Sequence, residues 1–189
     1  MSRHSSTEIQ AQQNPALQLA TLGGGCFWCT EAAFEAIKGV VDVESGYAGS
    51  DDPRANYEAV CTGQTGLAEV AQVLFDPAII NYEQILNVFF AVHNPTTLNQ
   101  QGADRGTQYR SVIFTHSDEQ DAIARSLIPS VIAAWDAPVV TEIVPINHYT
   151  RAEDYHQEYF KHNPNQGYCQ AVISPKLAKL RANYAALLK

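Results

Sequence analysis

The chain has 189 residues, enough for one compact domain with a substantial core, and 46% are hydrophobic against 17% charged, which excludes a disordered protein. Twelve Lys and Arg against twenty Asp and Glu give a net charge of −8 with no basic block, which argues against a nucleic-acid or anionic-membrane surface. No apolar run approaches the roughly 20 residues of a membrane span, no signal-peptide core opens the chain, and four cysteines are too sparse for a disulfide scaffold, so a reducing, cytoplasmic setting is expected.

Residues 1–16 are polar, carry no apolar period and read as a flexible N-terminal arm; residues 17–189 read as a single domain. A short buried strand, Leu17 to Leu22, runs into Gly23, Gly24 and Gly25. CFWCTEAAFEAI then has helical character, with Phe27, Glu31 and Phe34 at i, i+4, i+7 spacing. Val40 to Tyr47 and Ala68 to Phe75 alternate like strands. Asn81 with Gln84 three residues later caps an apolar helix reaching Val92. Asn94 to Gln108 reads as one long loop rich in Asn, Gln, Gly and Thr, and its length points to a site wall rather than a linker. Tyr109 to Thr115 is a strand. Ser117 with Gln120 caps a helix that Pro129 should kink or split. Val139 to Ile146 is a further strand, Thr150 with Glu153 forms a capping box for RAEDYHQEYFKH, and Ser174-Pro175 opens the last helix. Helices and strands mix without strict alternation, which predicts an α+β domain: a mixed, mainly antiparallel sheet with helices packed on it.

Cys26 follows three glycines and stands at the first turn of a helix. Unpaired N–H groups and the helix dipole there stabilise an anion, so its thiol is expected to have a lowered pKa and to be partly thiolate at neutral pH. The glycines let the backbone turn tightly and leave the sulfur uncovered. Cys29 lies one helical turn later, within disulfide reach. The bland alternative is a plain turn with two core cysteines. A zinc site fits poorly, because Cys61 and Cys169 are single and distant and no paired His motif accompanies them; no metal is expected. Phe27 and Trp28 flank the thiol, either as core or as an apolar cage for a small group such as a methyl. Glu31 and Glu35 read as solvated or capping, His93 and His148 as loop anchors, and Tyr155, His156 and Tyr159 as a cluster that lines a site or locks a helix to the sheet.

Four blocks, GGGCFWCTEAAF, NYEAVCTGQTGLAEVAQVLFDP, HNPTTLNQQGADRGTQYRSVIF and RAEDYHQEYF, together resemble the peptide methionine sulfoxide reductase A family, in the family's order and over about Gly23 to Lys176. The resemblance implies a two-layer α/β sandwich of ferredoxin-like roll type. It implies Cys26 as nucleophile, Phe27 and Trp28 as the pocket for the substrate's S-methyl group, and Glu69 as proton donor to the sulfoxide oxygen. It further implies Tyr57 and Tyr109 as hydrogen-bond donors to that oxygen and Asp104 as a contact to the substrate backbone. Reduction of methionine-S-sulfoxide, free or in proteins, would leave Cys26 as a sulfenic acid; Cys169 or Cys29 would resolve it to a disulfide, and external thioredoxin would reduce that disulfide, with no bound cofactor and a monomer sufficing. The chemistry suits these roles. A thiolate attacks a sulfoxide sulfur only when the oxygen is protonated or strongly hydrogen-bonded. The apolar neighbours Leu67, Ala68, Val70 and Ala71 predict that burial keeps Glu69 protonated at neutral pH.

Three departures stand out: Cys29 where many relatives carry Gly or Ala, Leu67 where they carry a His, and Ser50 in place of a second Gly. The Gly-rich cysteine tail of some relatives is also missing. Two rival classes stay open on the residues alone, a general thiol–disulfide oxidoreductase using Cys26-x-x-Cys29 and a non-catalytic zinc module.

Overall fold

A computed structural model describes residues 3–189. In chain order the elements are α1 (Ser6–Gln13), β1 (Gln18–Gly24), α2 (Phe27–Glu35), β2 (Val40–Ala48), α3 (Tyr57–Val60), β3 (Ala68–Phe75), α4 (Tyr82–Val92), β4 (Gln100–Gln101), β5 (Asp104–Arg105), β6 (Ser111–Thr115), α5 (Asp118–Trp135), β7 (Glu142–Pro145), β8 (Tyr149–Arg151), α6 (Tyr159–His162) and α7 (Ser174–Tyr184). Six strands form one sheet in the order β7-β6-β1-β3-β2-β8. Every pairing is antiparallel except β6 with β7, which α5 connects as a crossover. The expected α+β domain with a mixed, mainly antiparallel sheet is therefore the one observed.

Alternation along the strands sorts the two faces. Ala20, Leu22, Val43, Ala71, Val73 and Ile113 point to one face and join Phe34, Ile85, Leu86, Phe89, Ile173 and Leu180 in the main core under α2, α4, α5 and α7. Tyr47 and Glu69 are paired across β2 and β3 on that same face. The opposite face is smaller and partly polar. There α1 covers a buried network in which Ser5 and Tyr149 donate to Glu44, Thr7 donates to Gln72, and Gln72 donates to Thr21. The N-terminal segment read as a flexible arm is thus a capped helix lying on the sheet, with Ser5 and Thr7 buried. Its anchoring is by hydrogen bonds and not by an apolar stripe, which is why no hydrophobic period betrays it.

Other expectations need correction. α5 runs unbroken through Pro129, which sits on its exposed side; one missing backbone donor in an 18-residue helix is outweighed by the flanking turns. Thr150 and Glu153 do not form a capping box. Thr150 lies in β8, and the segment beyond it breaks into a short 3-10 turn (Asp154–His156), left-handed Glu158 and the four-residue α6. Ser174 does not open a helix, because a π-helical turn over Cys169–Ile173 already feeds α7. The long loop contains the β4–β5 hairpin. Elsewhere the capping signals hold: Asn81 and Gln84 close a reciprocal box on α4, and the Ser117 hydroxyl accepts from Gln120 N–H.

Candidate active site

The turn between β1 and α2 delivers the first cysteine. Gly25 has φ +94°, a backbone state costly for any other residue, and a Cβ there would lie 2.6 Å from the Gln101 side chain. That Gln101 amide is itself clasped by Asn94, whose N–H it accepts at 2.8 Å and whose carbonyl it donates to at 2.9 Å. Cys26 is the N-cap of α2 and Cys29 lies at its third position, so both thiols face the same helix start.

The sulfur is not uncovered: Cys26 is 9% exposed and Cys29 5%. Burial holds the Cys26 thiol well above its usual range, helped by its hydrogen bond with Cys29 and by the nearby Glu69 carboxyl; the Trp28 backbone N–H pulls the other way. Cys29 goes down instead, to about 7, chiefly through the hydrogen bond with Cys26 and then through Lys176 and Tyr168, against its own burial. The expectation that helix position alone makes Cys26 the thiolate is therefore corrected. A helix N-terminus contributes about 0.3–1 kcal/mol, less than the hydration lost by a buried thiolate. The hydrogen bond between the two thiols thus favours the thiolate at Cys29 over Cys26.

Glu69 lies opposite. It is 1% exposed, on β3 between Tyr47 and the start of α2, and its Oε1 accepts the Phe27 backbone N–H at 3.2 Å. Burial raises its pKa to about 8; the Phe27 hydrogen bond opposes this, and Asp104 and Cys29 add to it. The shift favours the protonated carboxyl, the direction that its apolar neighbours in the sequence predict. Leu67 packs with Phe27, Tyr47, Val60 and Ala152 and gives Glu69 no hydrogen bond.

Aromatic rings surround this pair. The Trp28 ring stacks on Tyr159 with centroids 3.7 Å apart and planes 6° from parallel, and meets Tyr168 edge-on. Its indole N–H donates to His156 Nδ1 at 3.0 Å. An indole N–H only donates, so neutral His156 carries its proton on Nε2, and burial keeps this ring neutral by lowering its pKa to about 4. Phe27 packs between Tyr47 and His156, and Tyr57 lies against His156 at 4.5 Å. Burial is the chief cause that raises the Tyr57 and Tyr109 phenols, and Cys61, hydrogen-bonded to Tyr57, adds to the shift of that one, so each hydroxyl keeps its proton. Asp104, on β5, accepts the Tyr168 hydroxyl at 2.7 Å, and that oxygen is 3.8 Å from Cys29 Sγ.

Cys26, Phe27, Trp28, Glu69, Tyr57, Tyr109, Asp104 and Cys29 thus gather at one end of the sheet. Cys169 is fully buried in the π-helical turn beside Tyr168, and burial together with the charge on Cys29 raises its thiol. Cys61 stands exposed; all four cysteines are free thiols. Among the described residues, no three His, Cys, Asp or Glu side chains gather where they would hold a metal.

Sequence reasoning missed several participants. Glu31 is not solvated: it is 1% exposed, accepts the Glu158 backbone N–H at 2.9 Å and that of Tyr159, and burial lifts its pKa to about 8. It thereby ties the Tyr159 segment to α2 one turn beyond Trp28. Glu153 accepts from Tyr47, from the Tyr57 backbone and from Tyr155. Tyr168 carried no signal beyond its place next to Cys169.

A family model for peptide methionine sulfoxide reductase matches residues 18–187. The chain belongs to the peptide methionine sulfoxide reductase family. It is 52% identical to the peptide methionine sulfoxide reductase MsrA of Polynucleobacter asymbioticus over 183 residues, covering 96% of both chains. Among solved structures, reduced Mxr1 from Saccharomyces cerevisiae superimposes with a TM-score of 0.75 at 38% identity, over 82% of this chain and 91% of that one. The same yeast protein in complex with Trx2 matches with a TM-score of 0.54 at 27% identity, over 77% and 86% of the two chains. The chain is accordingly an oxidoreductase of this family, and the rival readings as a general dithiol oxidoreductase or a zinc module fall away. Among the described residues, no helix is long and apolar enough to cross a membrane.

Proposed function

We propose that this member of the family reduces the S epimer of methionine sulfoxide, free or in proteins, with Cys26 as nucleophile and Glu69 as acid. One observation carries the reading: the buried Glu69 carboxyl accepts the Phe27 N–H at the turn that bears two buried thiols, Cys26 and Cys29, one helical turn apart. As the sulfoxide enters, its methyl group lies against Phe27 and Trp28 while its oxygen accepts from Glu69, Tyr57 and Tyr109. The Cys26 proton passes to the Cys29 thiolate as Cys26 attacks sulfur. The oxygen ends on Cys26 as a sulfenic acid, and methionine leaves with the lone pair restored to its sulfur. Asp104 receives the substrate's backbone N–H.

Two thiols then close the cycle. Cys29, hydrogen-bonded to Cys26, attacks the sulfenic sulfur, releasing water and forming a Cys26–Cys29 disulfide. Cys169 exchanges onto Cys29, freeing Cys26, and an external thioredoxin reduces the final disulfide. The complex of Mxr1 with Trx2 supports such a partner, and a cytoplasmic setting would supply it. No bound cofactor enters this cycle. The central β1-α2-β2-β3-α4-β6 run, with strand order β6-β1-β3-β2, supports reading the core as a ferredoxin-like roll serving one catalytic domain.

The test is a single turnover with reduced enzyme and equimolar, epimer-resolved methionine sulfoxide. The S epimer should be consumed with one disulfide formed per methionine, the R epimer should persist, and Cys26→Ser should consume neither. Equal loss of both epimers, or an active Cys26→Ser enzyme, overturns the reading.

A further inference from the structure

Arg3, in the segment that precedes α1, reaches across the molecule to the rim of the site. Its Nε donates to the Arg151 carbonyl at 2.6 Å and its Nη2 to the Ala55 carbonyl at 2.6 Å, while Nη2 lies 3.5 Å from Glu153 Oε1. These three acceptors come from two stretches far apart in the sequence. Ala55 precedes α3, whose first residue is Tyr57. Arg151 ends β8, and Glu153 lies just beyond it.

Glu153 is the joint between those stretches. Its Oε1 accepts the Tyr47 hydroxyl at 3.0 Å, and its Oε2 accepts the Tyr57 backbone N–H at 3.0 Å and the Tyr155 hydroxyl at 3.2 Å. Burial alone would raise this carboxyl; the Tyr57 N–H, the Tyr47 hydroxyl and the Arg3 guanidinium together hold it below its usual range. A carboxylate with that many donors is a fixed point. It sets the first turn of α3, too short to set itself, and Tyr57 leaves that turn toward His156.

We propose that Arg3 is a positioning residue for sulfoxide reduction, clamping the Ala55 and Arg151 carbonyls and Glu153 so that the Tyr57 hydroxyl is held where the oxide must be met. A planar guanidinium suits this, because its N–H groups diverge in fixed directions and bridge two carbonyls and one carboxylate at once; an ammonium does not. The inference rests on the reading of Tyr57 as a donor to the sulfoxide oxygen.

The experiment compares single-turnover reduction of methionine-S-sulfoxide, with kcat and KM, by Arg3→Ala, Arg3→Lys, Tyr57→Phe and the double variant Arg3→Ala/Tyr57→Phe. Arg3→Ala should slow the reduction about 3- to 10-fold, in kcat more than in KM, with its thermal midpoint near that of the unmodified protein. Arg3→Lys should recover only part of that loss. In the Tyr57→Phe background, Arg3→Ala should cost nothing further. An Arg3→Ala enzyme as fast as the original, or one whose loss persists in full beside Tyr57→Phe, overturns the inference. A Tyr57→Phe enzyme as fast as the original overturns the role of Tyr57 instead, and the clamp falls with it.

Discussion

Glu69, Tyr47 and Phe27 stand on or against the central strands β2 and β3, which pair with one another along their length but for a bulge at Val41 and bury every side chain except those of Val41 and Asp42. Tyr159, Tyr168 and Cys169 ride on residues 158–173, a run made of a left-handed Glu158, a four-residue helix and a π-helical turn. In the proposed cycle the first group includes the acid that meets the oxide. The second holds the thiol that, in the proposed cycle, travels toward Cys29 once the oxide is gone. Rigid pairing suits a proton donor whose position must not drift; an irregular stretch tied down by a few hydrogen bonds suits a sulfur that is called on later. The ties are identifiable: Glu31 to Glu158 and Tyr159, and Asp104 to Tyr168.

Perturbing the sheet-borne side should have the largest effect. Glu69→Gln keeps the shape and the acceptor for Phe27 N–H but loses the acidic proton, so single-turnover reduction should fall about 100-fold or more at neutral pH. The unmodified enzyme should lose rate as pH rises through about 8, where Glu69 gives up its proton, while the residual rate of Glu69→Gln shows no such fall. A Glu69→Gln enzyme at full speed would dissolve the distinction between the two regions.

Perturbing the irregular side should spare the first turnover. Cys169→Ser is expected to keep its single-turnover rate within about twofold while thioredoxin-driven turnover drops about tenfold, because the disulfide stops at Cys26–Cys29. Mass spectrometry of the stoichiometrically oxidised protein reads that bond directly. A Cys26–Cys29 bridge missing from Cys169→Ser would mean that Cys29 is not first in the relay.

Glu31→Gln probes the tie itself. The carboxyl of Glu31 has its pKa raised from 4.5 to about 8 on folding, so the stability it allows is fully present below about 4.5 and is lost as pH climbs through 8. The amide keeps an acceptor without the charge. Its thermal midpoint should exceed that of the unmodified protein by about 2–4 °C or more at pH 9 and match it near pH 4, measured by thermal unfolding at the two pH values. Smallest of all, Tyr168→Phe removes the hydroxyl between Asp104 and Cys29. Disulfide formation after oxidation should change by only about two- to fivefold, followed by quenched-flow mass spectrometry.

The same contrast governs what the residues disclosed in advance. β3 was readable to the residue, the Asn81–Gln84 box closed as its spacing implies, and Glu69's apolar neighbours foretold the direction of its pKa shift, because each signal is local and one physical effect dominates it. α1 offered only the Ser5–Glu8 capping spacing and no apolar period, since its anchors are a serine and a threonine bonded to Glu44 and Gln72 from distant strands. Thr150 and Glu153 carry a capping spacing, yet Glu153 is consumed by Tyr47 and Tyr57, partners that only the tertiary structure supplies. Glu31 looks like any helical glutamate until the chain returns with Glu158. The Cys26 thiol illustrates a local rule overruled by burial and by a hydrogen bond with a neighbouring cysteine.

Gly25 has a wider bearing than its own dihedral angle. Because it leaves room for Gln101, and Gln101 grips both backbone groups of Asn94, the Cys26 turn and the hairpin bearing Asp104 form a single mechanical unit. A methyl group at this one position would wedge them apart, so the distance between the Cys26 sulfur and the Asp104 carboxylate is inherited from an absence of atoms.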